Sequence, residues 1–165
     1  MPDAPHEPPV KLIALARKEV ERMRHEYVGT EHILLAMLAS TEGTARRVLE
    51  SLGAGAERLR KEILNLIPNG IRRPRAREHP FTPRARKCLD AAVEEAGDGA
   101  VREGHVLMGL VRDAEGIAAH VLMGLGLSLD DIRKATLAAL AAPPPKRAAA
   151  KPKKKSPPKR SPRKR

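Results

Sequence analysis

The stretch HEYVGTEH, from His25 to His32, places two histidines and two glutamates close together in the chain. Imidazoles and carboxylates at such range are the donors of zinc hydrolases, so metal-dependent hydrolysis is the first chemistry to test. That chemistry asks for His-Glu-x-x-His, because a spacing of four sets both imidazoles on one helix face. His25 and His32 are seven apart with Val28-Gly29-Thr30 between them, which assigns them to different elements and removes the zincin reading. No metal and no cofactor is expected. Neither a G-x-x-x-x-G-K-[ST] phosphate loop nor a G-x-S-x-G elbow occurs. The one cysteine, Cys88, falls on an apolar stripe, where it serves as a small hydrophobe rather than a nucleophile. The expectation is a protein that is not an enzyme.

The elements that carry these residues come in two copies. In one fixed register, His32 falls on His105, Glu42-Gly43 on Glu115-Gly116, Val48-Leu49 on Val121-Leu122, Leu52-Gly53 on Leu125-Gly126 and Arg60-Lys61 on Arg133-Lys134. His25 has no such partner: it faces Asp98 or lies beside a short deletion. A lone histidine that recurs at a helix start reads as a structural hydrogen-bonder.

Each copy carries four helical stripes. In the first, Leu12, Ala16, Val20 and Met23 mark one helix, and Thr30 is placed to cap a second whose buried face is Ile33, Leu34, Met37 and Leu38. Ala45, Val48, Leu49 and Leu52 mark a third, ended by Gly53 in the left-handed conformation. Leu59, Ile63, Leu66 and Ile67 mark a fourth, stopped by Pro68. Cys88, Leu89, Ala92 and Val93 open the matching series, followed by Val106, Leu107, Leu110 and Val111, then Ala118, Val121, Leu122 and Leu125, then Leu129, Ile132 and Leu140. Strand-like alternation is absent. The expected fold is therefore all-α, a pseudo-symmetric duplication of a four-helix repeat with about eight helices, packed as one domain because neither half buries enough surface alone.

Boundaries follow from composition: a flexible N-terminus (1–9), repeat one (10–67), a Pro/Gly-broken linker (68–80), repeat two (81–142) and a disordered tail (143–165). With one Tyr, one Phe and no Trp, the core is aliphatic and offers no platform for stacking bases. The net charge of +12 is concentrated in the tail, which holds 11 of the 32 Lys and Arg and no acid, leaving 21 bases against 20 acids elsewhere. Its seven prolines between Pro143 and Arg165 leave no periodic apolar face to offset ordering entropy. Such a segment binds phosphates by counterion release, with Lys153, Lys154, Lys155, Lys159, Arg160, Arg163, Lys164 and Arg165 as the cations, or serves only as a solubilising tail. Nonspecific DNA or RNA is its natural partner, and a nucleoid-binding protein acting mainly through the tail is the second functional reading. No apolar run reaches the roughly 18 residues of a membrane helix, and the first residues resemble no signal peptide, which points to a cytoplasmic protein with an option of nucleoid association.

Several segments carry a family resemblance: ARKEVERMRHEYVGTEHILLAML, EGTARRVLESLG, PFTPRARKCLDAAVEEA and EGIAAHVLMGLG. Over roughly residues 10–140 the chain resembles the duplicated N-terminal domain of Clp unfoldases, the ClpC type above all. The resemblance implies an eight-helix fold without chemistry of its own, docking adaptors and substrates for an AAA+ motor that feeds the ClpP peptidase. It also implies recognition of phosphorylated arginine by the Glu of G-T-E-H, here Glu31 with Thr30 and His32 beside it. A carboxylate can accept from guanidinium N–H groups while helix-start amides hold the phosphoryl group. Read without the resemblance, Glu31 complements the positive end of its helix, worth a few tenths to about 1 kcal/mol. Repeat two departs from the motif, with Arg102-Glu103-Gly104-His105, so Glu103 and His105 are its nearest candidates for a second pocket. Phe81 opens the F-T-P-R-A motif, either at a hydrophobic ligand surface or as a core anchor. The segments seen carry no motor, which implies a free docking module: a decoy or reservoir, an adaptor, or an accessory of Clp protease components.

Overall fold

The computed structural model describes residues 8–41, 43–71 and 79–142, which form eight helices. They are α1 (Val10–Met23), α2 (Thr30–Ala39), α3 (Thr44–Ser51), α4 (Ala56–Leu66), α5 (Pro83–Ala96), α6 (Glu103–Arg112), α7 (Ile117–Gly124) and α8 (Leu129–Ala141). Each helix of the second set starts at the same offset from its counterpart, the one that carries His32 onto His105, and α1, α2 and α3 match α5, α6 and α7 in length as well. His25 therefore aligns with Asp98, with no deletion between the copies. The expected linker residues 72–78, the first seven residues and the tail, with all its candidate cations, lie outside the described residues.

Sequence chemistry accounts for the helix ends. Thr82 caps α5, its hydroxyl accepting from the Ala85 N–H at 3.1 Å, with Pro83 at the first helical position where no amide is needed. Gly53 and Gly126 follow α3 and α7 with φ of 87° and 83°, and the chain closes over them through Ala54 N–H to Leu49 O and Leu127 N–H to Leu122 O. α4 ends at Leu66 because Ile67 precedes Pro68 and is pushed into extended backbone.

Helices α2 and α6 run through the centre. The expected stripe on α2 is buried, but so are Leu35 and Ala36, and on α6 Met108 and Gly109 join Val106, Leu107, Leu110 and Val111. Both helices are covered on all sides because each touches its own repeat and the other: α2 packs on α1 and α7, α6 on α5 and α3. α3 likewise meets α8, and α4 meets α7. The peripheral stripes are narrower than expected, since Leu66 is exposed while Leu59 and Ile63 are fully buried. The duplicated arginines tie outer helices together: Arg60 of α4 makes a two-pronged contact with buried Glu19 of α1 at 2.8 and 3.0 Å, and Arg133 of α8 reaches Glu95 of α5 at 3.1 Å.

The two repeats also exchange helix caps. Thr30 does not cap α2 as its place in the sequence suggests. Gly29 holds that position and Thr30 is the first helical residue, so its buried hydroxyl points across the interface and accepts from the Ala118 N–H of α7 at 3.3 Å. Its counterpart in the second copy is Glu103, whose carboxylate lies against Gly43, toward the first amides of α3. A neutral hydroxyl fills one seat and an ionisable group the other. Burial pushes the Glu103 carboxyl up to about 7, against the pull of the Ala45 N–H and of Arg47, and its Oε1 is buried without a partner.

Removing the hydroxyl with Thr30→Ala should cost about 1–2 kcal/mol in denaturant unfolding by uncapping α7. For Glu103, the raised folded value means that the native state keeps a proton the unfolded chain has released between pH 4.5 and about 7. Its contribution is fully present below pH 4.5 and lost as pH rises through 7. Relative to wild type, Glu103→Gln should therefore gain stability as pH climbs across that window, by about 1–3 kcal/mol, and show no further relative change above it. Parallel pH–stability curves for the two proteins would remove Glu103 as a titrating group.

Candidate functional site

HEYVGTEH begins where α1 ends. Arg24 adopts the left-handed conformation, φ 58°, and the His25 N–H returns to Val20 O at 3.0 Å, which turns the chain sharply and lays His25 back toward α2. Val28 is then clamped between two backbone bonds, its N–H donating to Pro80 O at 2.8 Å and its carbonyl accepting from the Thr82 N–H at 2.9 Å. This isolated parallel bridge between Val28 and Phe81 fixes the entry to α2 against the start of repeat two. Phe81 is half-buried and packs on the core. From the other side, the Gly70 N–H donates to Met23 O at 2.8 Å and anchors the segment after α4.

These constraints bring together residues that their sequence spacing separates. His25 and His32 do sit on different elements, but their rings meet edge to face with centroids 5.0 Å apart and His25 Nδ1 2.9 Å from His32 Nε2. His32 Nδ1 accepts from the Gly29 N–H at 3.0 Å, and His105 Nδ1 accepts in the same way from the Arg102 N–H. The recurring histidine is thus a helix-start acceptor in both repeats, as its recurrence suggests. With Nδ1 accepting, the His32 proton lies on Nε2 and points to His25 Nδ1. His25 in turn carries its proton on Nε2, 3.1 Å from Pro68 O. A directed chain of donors therefore runs from Gly29 through both rings to the segment after α4. This contact is hidden from the sequence because it depends on the left-handed turn at Arg24.

Glu31 is only 6% exposed, although it lies at the mouth of a groove that includes Arg24, His25, Tyr27, Ile67 and Thr82. Its carboxylate folds back against Gly29, where a Cβ would displace it. Oε1 stands 3.2 Å from His32 Nδ1, while Oε2 is buried without a partner. Burial works to raise the Glu31 carboxyl, yet positive charge on the adjoining His32 and His25 rings when they are protonated, with the residue's own backbone N–H, holds it below the ordinary glutamate value. The groove is lined by Glu31, whose unpartnered Oε2 is covered, by the side chains of Tyr27 and Ile67, and by Arg24.

Repeat two lacks this arrangement. Gly104 stands at the position of Glu31, and the space a side chain would fill is taken by Leu140 of α8. The Arg102 guanidinium lies over the same place, donating to Leu140 O at 2.9 Å. Glu103 is turned toward α3, and burial, reinforced by Arg102, pushes His105 below its usual range. The expected pocket residues Glu103 and His105 are therefore present but do not converge as Glu31 and His32 do. Cys88 is fully buried, and burial together with Asp113 pushes its thiol up to about 11, which suits the small-hydrophobe role. No helix among the described residues is long and apolar enough to cross a membrane.

Comparison with known proteins identifies the family and the fold. Residues 10–100 match the Clp repeat (R) N-terminal domain. Over 135 residues, 80% of the chain, it is 40% identical to the negative regulator of genetic competence ClpC/MecB of Bacillus subtilis, and covers 16% of that protein. Over 127 residues, 75% of the chain and 14% of the relative, it is 41% identical to the chloroplastic chaperone protein ClpC1 of Arabidopsis thaliana. The fold is similar to the N-terminal domain of Arabidopsis ClpD, with a TM-score of 0.62 at 21% identity over 81% of this chain and 92% of that one. It is similar too to a ClpV N-domain solved in complex with a VipB peptide, with a TM-score of 0.61 at 17% identity over 78% and 82% of the two chains. Eight helices in two copies held to one constant offset, with the sequence match over most of their length, establish that the chain belongs to the Clp repeat N-terminal domain family.

Proposed function

We propose that this domain is a non-catalytic docking module that takes arginine-phosphorylated or similarly charged protein segments at the Glu31 groove and presents them to, or withholds them from, Clp protease components. The observation that carries this reading is the Glu31 carboxylate: buried, ionised and with Oε2 unpartnered, beside a groove open to solvent. A buried acceptor with nothing to accept from is costly in a purely structural site, and a guanidinium supplies the missing donors. Arg24 at the rim suits the phosphoryl group, and Tyr27, 54% exposed, lies alongside for the aliphatic stem. The peptide bound by the ClpV N-domain supports segment docking as a use of the fold.

The second repeat gives this reading a stoichiometry. With Gly104 and Leu140 where a carboxylate would stand, one ligand binds per chain. Titration of the full chain with phosphoarginine by calorimetry should give a single site, with unmodified arginine at least tenfold weaker. Glu31→Gln should reduce phosphoarginine affinity at least tenfold with little change in thermal stability. Gly29→Ala should also weaken binding, because its Cβ displaces the same carboxylate. Two equivalent sites would contradict the closed second seat, whereas no binding at all would move the docking role to other surfaces of the domain.

A further inference from the structure

From the crossed helix seats, we propose that Glu103 is a proton-controlled latch on α3: with its carboxyl protonated, the start of α3 is held closed against repeat two, and with it ionised, α3 opens locally while α7 stays shut. The carboxylate crosses from α6 to lie against Gly43, where a Cβ would displace it, and faces the first turn of α3. Its Oε1 is buried without a partner. A neutral carboxyl can rest in such a place, whereas an anion there loses its hydration without gaining enough donors in return.

The return is small. The Ala45 N–H and Arg47 both favour the anion, but Arg47 is exposed and its charge is screened. Other charged groups on the surrounding helices are engaged elsewhere. The Arg102 guanidinium donates to Leu140 O, and the Arg102 N–H goes to His105 Nδ1. Arg133 of α8 is bonded to Glu95 of α5, and Arg46 of α3 to Glu50 and Leu38 O. On α2, Glu31 and His32 face each other in the other repeat's groove. Burial therefore prevails at Glu103.

α3 is the element suited to respond. It has eight residues and no side-chain cap of its own, and its buried residues are Ala45, Val48 and Leu49. Its packing is divided between α2 of its own repeat and α6 and α8 of the other, so a break at the Glu103 seat frees it on the repeat-two side. A helix held this lightly can open at a lower free energy than the whole domain. α7 is the contrast within the same molecule: it is equally long, but the Thr30 hydroxyl that fills the seat at its start carries no titrating proton. Opening returns the Glu103 carboxyl toward 4.5 from a closed value of about 7, so the closed state keeps a proton that the open state has lost between those values. Opening is therefore least below pH 4.5, grows by up to about tenfold per pH unit across the window, and levels off above about 7.

The test is hydrogen exchange on the full chain, followed amide by amide by NMR from about pH 5 to about pH 8, corrected for intrinsic rates, with and without dilute urea. Near neutral pH, the Val48 and Leu49 amides of α3 should exchange at least tenfold faster than Val121 and Leu122 of α7, through an opening that urea barely promotes. Toward pH 5 that opening should become at least tenfold rarer. Glu103→Gln should leave α3 closed and its exchange free of this pH dependence, and Glu103→Thr, which copies the Thr30 seat, should do the same. Three results would each overturn the proposal: α3 amides that match those of α7 in rate and in urea dependence, an α3 opening independent of pH in the wild type, or a pH dependence that survives Glu103→Gln. No ligand enters these readouts, so the latch and the docking role of the Glu31 groove stand or fall separately.

Discussion

The first residue of α2 and the first residue of α6 each reach into the other repeat. Thr30 satisfies an amide at the start of α7, and Glu103 is turned to the start of α3. Helix starts expose amides that need acceptors, and buried ones cannot take them from water. Neither repeat can therefore close its third helix alone. The same interface covers the second faces of α2 and α6, so polar satisfaction and apolar burial both require the pair. Half of such a chain would be marginal alone, and the crossed seats add a directional reason why the two halves form one cooperative domain.

Much of this was legible in the sequence, for reasons that differ from residue to residue. The constant register between the copies and the apolar stripes reveal helix number and order because burial imposes the helical period directly. Gly53 and Pro68 mark helix ends through their own backbone restrictions. What escaped is what depends on the partner repeat. The pattern on α2 reads as one buried face, yet Leu35 and Ala36 are buried too, on a helix that also packs against α7, far along the chain. Thr30 looks like a local cap, and only the cross-repeat geometry sends its hydroxyl to Ala118. His25 and His32 look separate because a spacing of seven across a Gly breaks the helical rule. A single left-handed residue, Arg24, brings them back together.

Within this duplication, which keeps one constant register, the candidate site is one-sided. At matching positions repeat one has His25, Glu31 and Ile67, while repeat two has Asp98, Gly104 and Leu140. The last two differences go together: where Gly104 has no side chain, Leu140 occupies the space. Packing of this kind favours stability, since it replaces a desolvated carboxylate with aliphatic contacts. Repeat one keeps the costlier arrangement, with a buried ionised Glu31, an unpartnered oxygen and two histidines bonded to each other.

The cost of the repeat-one arrangement is what the proposed docking role of Glu31 accounts for. A carboxylate near a helix start gains a few tenths to about 1 kcal/mol from the dipole when it remains solvated. Burial offsets this gain, and Gly29, which carries its own entropic cost, leaves the space that the buried group occupies. The His32 ring already satisfies the N-cap amide, so Glu31 is not needed there either. Repeat two shows that the fold closes without the carboxylate, since α6 starts with the same histidine contact and packs leucine where the glutamate would be. The docking proposal supplies the missing partner, a cation that is not part of the chain's own packing. On the docking proposal, a guanidinium reaches Oε2 once the carboxylate turns out from against Gly29 toward the groove, since that oxygen is covered in the closed site.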